Sequence, residues 1–152
     1  MQPTEHIFVY GLLMFPEIVE AITGQRYQML DAVLADHQRR GLSQSPLNAP
    51  VPVLTEAPGR AQQGKLLLDV GPDAVRALDF FEEIDSGHYV KKAVRVQAAG
   101  QWYSAFCYAI GPALTPYISG DWQPELVSEA QKAHFIQQVI PQMLQALSAT
   151  KS

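Results

Sequence analysis

The sequence predicts an α+β domain: a curved, mostly antiparallel sheet or barrel with flanking helices. Two observations carry this prediction. Strand-like segments outnumber helical ones, and most are joined by turns too short to hold a crossover helix, so neighbours should run antiparallel. The 152 residues also contain no internal repeat and no linker-like stretch, so one domain over 1–152 is expected, long enough to bury its own core.

Taken in order, His6 to Tyr10 is a short apolar run closed by Gly11, which reads as a buried strand ending in a turn. Pro16 suits a first helical position, Ile18, Val19 and Ile22 share one face, and Gly24 supplies the stop. Met29 to Leu34 and Val51 to Leu54 read as strands separated by the Gly/Ser/Pro-rich loop Gly41 to Pro50. Gly64 to Val70 is a further strand. Gly71-Pro72-Asp73 then opens a helix that turns Val75, Leu78, Phe81 and Glu82 inward. Tyr89 to Ala98 and Gln101 to Ile110 form two long strands joined as a hairpin by Ala99-Gly100. Glu125 to Leu147 is helical, with a kink or restart expected at Pro141, which lacks an N–H.

Composition removes several function classes. The formal charge is −4 and no face or tail gathers Lys and Arg, so nucleic acid is not an expected partner. Gln38-Arg39-Arg40 and Lys91-Lys92 read as solvated loop and edge-strand charge. Cys107 is alone and reads as a buried structural thiol. His6, His37, His88 and His134 lack ligand spacing, so no metal site is expected. Without a leader-like start or a bilayer-length apolar run, the expectation is a soluble cytoplasmic protein with no membrane partner. Trp102, Tyr103, Phe106 and Tyr108 read as core and barrel wall. Ile136, Val139, Ile140, Met143 and Leu147 form a helix stripe that reads as core, leaving a monomer or weak homodimer.

Two distant segments carry chemistry. After the first strand, Tyr10-Gly11-Leu12-Leu13 offers backbone amides beside a helix start, where a Gly11 with positive φ would let an anion approach the peptide groups. Leu78-Asp79-Phe80-Phe81-Glu82-Glu83 ends an apolar helix in a cluster of carboxylates, with the turn Asp85-Ser86-Gly87 beyond. Helical spacing with Leu78 favours Glu82 over Glu83 as the inward group. There the helix dipole and apolar neighbours both disfavour the charged form, as suits a general base.

These segments resemble the signatures of the gamma-glutamylcyclotransferase-like superfamily, including its avirulence-induced branch. That family shows Tyr-Gly-Ser/Thr-Leu after its first strand, then Asp-x-Phe-Glu-Gly, then Tyr-x-Arg on the next strand. Here they are matched by Tyr10-Gly11-Leu12-Leu13, Asp79-Phe80-Phe81-Glu82-Glu83 and Tyr89-Val90-Lys91. Met14-Phe15-Pro16-Glu17, Gly64-Lys65-Leu66-Leu67 and Gly120-Asp121-Trp122 add agreement in the same order along nearly the whole chain.

The resemblance implies the gamma-glutamylcyclotransferase-like fold and a cofactor-independent intramolecular acyl transfer on a small gamma-glutamyl compound. The substrate's α-amine attacks its own γ-carbonyl, releasing 5-oxoproline and a free amine. It implies Glu82 as general acid/base, Gly11, Leu12 and Leu13 as the anion-holding turn, and Tyr10 and Tyr89 as residues that shape the pocket. Three positions depart from the pattern: Leu12 for Ser/Thr, Glu83 for Gly and Lys91 for Arg. The alternative they leave open is a non-catalytic relative that keeps the fold and the pocket.

Overall fold

The computed structural model describes residues 3–42, 52–82, 87–124 and 127–149. Five strands close into a barrel in the order β1-β3-β2-β4-β5. They are β1 (Glu5–Val9), β2 (Met29–Arg40), β3 (Val53–Val70), β4 (Tyr89–Ala98) and β5 (Gln101–Ile110). β1 closes the ring, antiparallel to β3 and parallel to β5, while the other neighbours are antiparallel. The predicted α+β class and curved, mostly antiparallel sheet are therefore observed.

Alternation along the strands sorts the core into two layers. Phe8, Tyr10, Leu34, Leu54, Leu66, Val96 and Cys107 form one cluster made entirely of strand and strand-end residues, which is the lumen of the barrel. Ile7, Val9, Leu67, Tyr89, Phe106 and Tyr108 join a second cluster with Ile18, Leu78 and Ile140 from the helices, which is the layer between barrel and helical cover. Because β1 is buried on both faces, its run Ile7-Phe8-Val9 is continuously apolar rather than alternating.

The helices are α1 (Pro16–Thr23), α2 (Pro72–Phe81), α3 (Glu129–His134) and α4 (Ile140–Ala149). α1 starts on Pro16 and ends at Gly24, whose φ of 80° supplies the left-handed cap. Ser128 and Gln131 form a reciprocal capping box at the start of α3. The break expected at Pro141 takes the form of a π turn over Phe135–Val139, closed by the Ile140 N–H donating to Phe135 O. Pro141 removes the donor that the carbonyl four residues earlier would use, and the ladder widens just before it. Among the described residues no helix is long and apolar enough to cross a membrane.

Some boundaries differ from expectation. β2 extends to Arg40, and Val53-Leu54, from the strand predicted at Val51 to Leu54, belongs together with the predicted strand Gly64 to Val70 to one strand, β3; Val51 lies outside the described residues. The punctuation Pro58-Gly59 does not end that strand. Residues 57–60 bulge opposite the single residue Asp36, and the ladder resumes at His37↔Glu56. Asp36 lies at φ 61° and its Oδ1 accepts from Gly59 N–H at 3.0 Å, which ties the bulge off. Most of the predicted loop Gly41 to Pro50 lies outside the described residues. The hairpin turn Ala99-Gly100 has positive φ at both positions, as the matching twist of a two-residue turn requires.

Candidate active site

The turn after β1 is tight and buried. Met14 N–H donates to Gly11 O at 2.9 Å and Phe15 N–H to Leu12 O at 3.1 Å, making one short 3₁₀ turn before α1. Gly11 has φ −131°, so the positive φ expected of it is not found. Its glycine answers to space instead. A Cβ there would lie 2.6 Å from Cγ and 2.9 Å from Cδ of Pro52, a ring with little freedom to yield. Leu12 and Leu13 send their side chains into the layer beneath the helices, which accounts for an apolar residue at position 12.

Three tyrosines surround this turn. Tyr10 reaches from the lumen to donate its hydroxyl to Tyr108 O. Tyr89 OH donates to Pro52 O at 2.7 Å, fastening the segment that Gly11 packs against. Tyr108 OH donates to Asp79 Oδ1 at 2.7 Å, and Lys91 Nζ donates to the other oxygen of the same carboxylate at 3.2 Å.

Glu82 is the residue that ends α2, its N–H donating to Leu78 O at 2.9 Å, and it is half-buried. Its charge reaches two of the phenols. Tyr10 is held well above the ordinary tyrosine range, first by burial, then by Tyr89, Glu82 and Cys107, while the Leu54 amide pulls weakly the other way. Tyr108 is raised as well, first by burial, then by the charge and hydrogen bond of Asp79, with Glu82 adding to them. Both phenols are thus neutral hydrogen-bond donors across any ordinary pH. Glu83 and Asp85, the other carboxylates weighed at this helix end, lie outside the described residues.

Several residues at the site were read differently in the sequence. Arg39 is not a solvated loop charge: it sits on β2, donates from Nη1 to Tyr10 O at 2.8 Å and stacks 5.1 Å from the Trp122 ring. It thereby fixes the carbonyl immediately before Gly11. Arg40 Nε donates to Gly120 O at 3.0 Å. Lys91 and Lys92 are likewise engaged on opposite faces of β4, the first with Asp79 and the second with His37 and Glu56. Asp79 is the anchor for Tyr108 and Lys91, and its place one helical turn before Glu82 puts both carboxylates on one face of α2.

Chemically, a half-buried carboxylate at the end of α2 acts electrostatically on two neutral phenols, one of which, Tyr10, leads directly into the tight glycine turn, where Leu12 has only main chain to offer an anion. Comparison with known proteins gives the wider setting. The chain matches the family described as gamma-glutamyl cyclotransferase, AIG2-like, over residues 7–124. Its fold is shared with an Arabidopsis thaliana protein solved in solution, at 20% identity and TM-score 0.67, covering 99% of this chain and 95% of that one. A structure named gamma-glutamyl cyclotransferase aligns at 18% identity and TM-score 0.64, covering 77% and 69%. A yeast gamma-glutamyl cyclotransferase described as specific to glutathione aligns at 15% identity and TM-score 0.50, covering 96% and 87%. No curated protein matches the sequence. The chain belongs to the gamma-glutamyl cyclotransferase, AIG2-like family.

Proposed function

We propose that the protein is a cyclotransferase acting on a small gamma-glutamyl amine or peptide, with Glu82 as its general acid/base. The α-amine of the substrate attacks its own γ-carbonyl. A C–N bond forms within the new five-membered ring, the C–N bond to the departing amine breaks, and 5-oxoproline is released. The proton lost by the α-amine passes to Glu82 and then to the departing nitrogen, so the cycle returns to its start with no electron donor or cofactor. Tethering the nucleophile to its electrophile supplies effective molarities on the order of 10⁵ M or more, and a positioned proton carrier roughly 10²–10⁴-fold.

The observation that carries this reading is Glu82 itself. It is half-buried at the end of α2, within electrostatic reach of the Tyr10 phenol whose backbone leads into Gly11. In this reading Gly11, Leu12 and Leu13 hold the α-carboxylate by main-chain N–H groups, and Tyr10 and Tyr89 shape the pocket. One observation favours the second reading, a non-catalytic ligand-binding relative: Leu12 is committed to the core and brings no hydroxyl to the turn.

A 5-oxoproline release assay across gamma-glutamyl amino acids, gamma-glutamyl amines and glutathione separates the two. Glu82→Gln keeps shape and hydrogen-bonding capacity but accepts no proton. It should abolish turnover while ligand binding persists, and residual activity near the parent level removes Glu82 from the mechanism. Gly11→Val should cripple binding on that background, since even a Cβ collides with Pro52. Unchanged affinity there would move the anion elsewhere.

A further inference from the structure

The seam between β2 and β4 is zipped at one end only, by the pairs Ala32↔Ala98 and Val33↔Gln97. Towards the other end a cavity of about 500 Å³ opens, walled by Leu54, Val90, Ala109 and Ile118 among others. On its rim Lys92 Nζ lies 2.8 Å from His37 Nε2 and 2.9 Å from Glu56 Oε1. His37 is buried, and its Nδ1 lies 2.8 Å from Ala35 O, a group that can only accept. Nδ1 therefore carries the proton, Nε2 is the acceptor, and the imidazole is neutral with Lys92 as the cation.

The charge at this rim is open to exchange. Glu56 is highly exposed, so its pairing with Lys92 is screened by water and readily replaced. An ammonium has three donors, and among the described residues two are used. Two wall positions of the cavity also border the Tyr10 phenol. Leu54 lines the cavity and also presents its amide to the Tyr10 phenol, and Ala109 follows the Tyr108 carbonyl to which that phenol donates. Cys107, on the lumen face between them, feels the charge of Lys92.

From this geometry we infer that Lys92, held by neutral His37, is a specificity residue that binds a carboxylate on the leaving group, so the preferred substrates are gamma-glutamyl amino acids rather than simple gamma-glutamyl amines. This rests on the proposed function for the identity of the γ-glutamyl end. The α-carboxylate is assigned to the Gly11 turn, which leaves the cavity beyond Tyr10 for the departing half of the molecule. Glu56 is the displaced counter-ion, and the ligand carboxylate takes its donor.

The test compares gamma-glutamyl-L-alanine with gamma-glutamylethylamide, which differ by that one carboxylate. Dissociation constants are measured by calorimetry on the Glu82→Gln protein, where no turnover interferes. Alanine-bearing ligand should bind about 10–100-fold more tightly, as a charged hydrogen bond gives. Lys92→Met should collapse the ratio of the two constants to about one, and Lys92→Arg should restore most of it. Equal binding of the two ligands, binding of neither, or a Lys92→Met effect shared equally by both overturns the inference. Preference for the carboxylate in a wild-type protein that releases no 5-oxoproline sinks the catalytic reading and leaves this site standing. Turnover of both compounds with equal affinities does the reverse.

Discussion

Lys91 and Lys92 are neighbours on one strand, yet they serve different compartments. Lys91 faces the layer under the helices, where it donates to Asp79 at 3.2 Å and lies 4.3 Å from the centre of the Phe106 ring. Lys92 faces the barrel mouth, where its partners are one neutral imidazole and one exposed carboxylate. The first charge is spent on holding α2 against β5 through Asp79 and Tyr108. The second is held in place by His37 but not consumed. Sequence adjacency and identical chemistry therefore say little about role, and the strand face decides it.

The comparison breaks most visibly at Asp79. Asp79→Ala strands the buried Tyr108 hydroxyl and leaves Lys91 without its carboxylate, so stability should fall by about 2–3 kcal/mol in urea unfolding. A loss below about 0.5 kcal/mol would show that the outer cluster is not structural.

Alkaline pH probes the other compartment through Cys107. Burial pushes its thiol up from 9.0 to about 11 despite the opposing charge of Lys92. Below pH 9 folded and unfolded chains both keep the proton. Above it the unfolded chain loses its proton first, so stability should decline by roughly 2–3 kcal/mol as pH rises through about 11. The raised Tyr10 and Tyr108 phenols extend the decline above pH 10 in the same direction. The urea midpoint of Cys107→Ala against pH should lack the thiol's share, and an identical profile would refute the assignment.

Smaller effects sharpen the contrast between the two lysines. Lys91→Met keeps the stem over Phe106 but loses a partly exposed ion pair, a cost of about 1 kcal/mol. Lys92→Met should stay within about 0.5 kcal/mol of the parent in the same denaturation experiment, because its pairing with Glu56 is exposed and the His37 imidazole lines the open cavity, where water can replace the ammonium. Equal destabilisation by the two would erase the distinction between a spent and an available charge.

Much of the architecture was legible because local signals agreed with the fold. Pro16 and Gly24 bound α1, and the alternating runs on either side of Ala99-Gly100 give β4 and β5 their observed limits. The single long β3 was not legible. Pro58-Gly59 carries the chemistry of a strand end, and only the partner strand, with Asp36 opposite the bulge, lets the ladder resume. At the site, helical spacing favours Glu82 as an inward group, and the structure has it half-buried at the end of α2. The contacts of Arg39 and Lys92 were not legible, because both depend on groups far away in sequence: the Tyr10 carbonyl and Trp122 for one, His37 and Glu56 for the other. The conformation of Gly11 was misjudged because close contact and positive φ both call for glycine, and a sequence does not separate them.

The parallel pairing of β1 with β5 has a consequence for synthesis on the ribosome. Ile7 and Phe8 must wait for Phe106 and Cys107, and the Tyr10 hydroxyl for an acceptor 98 residues downstream. At translation speeds of about 5–20 residues per second, that wait is on the order of 5–20 s. Through it one edge of an unusually apolar strand stands open, the kind of surface that pairs with other nascent chains. Variants that weaken β5 should therefore show first as poor recovery from cells, before any loss is measurable in the purified fold.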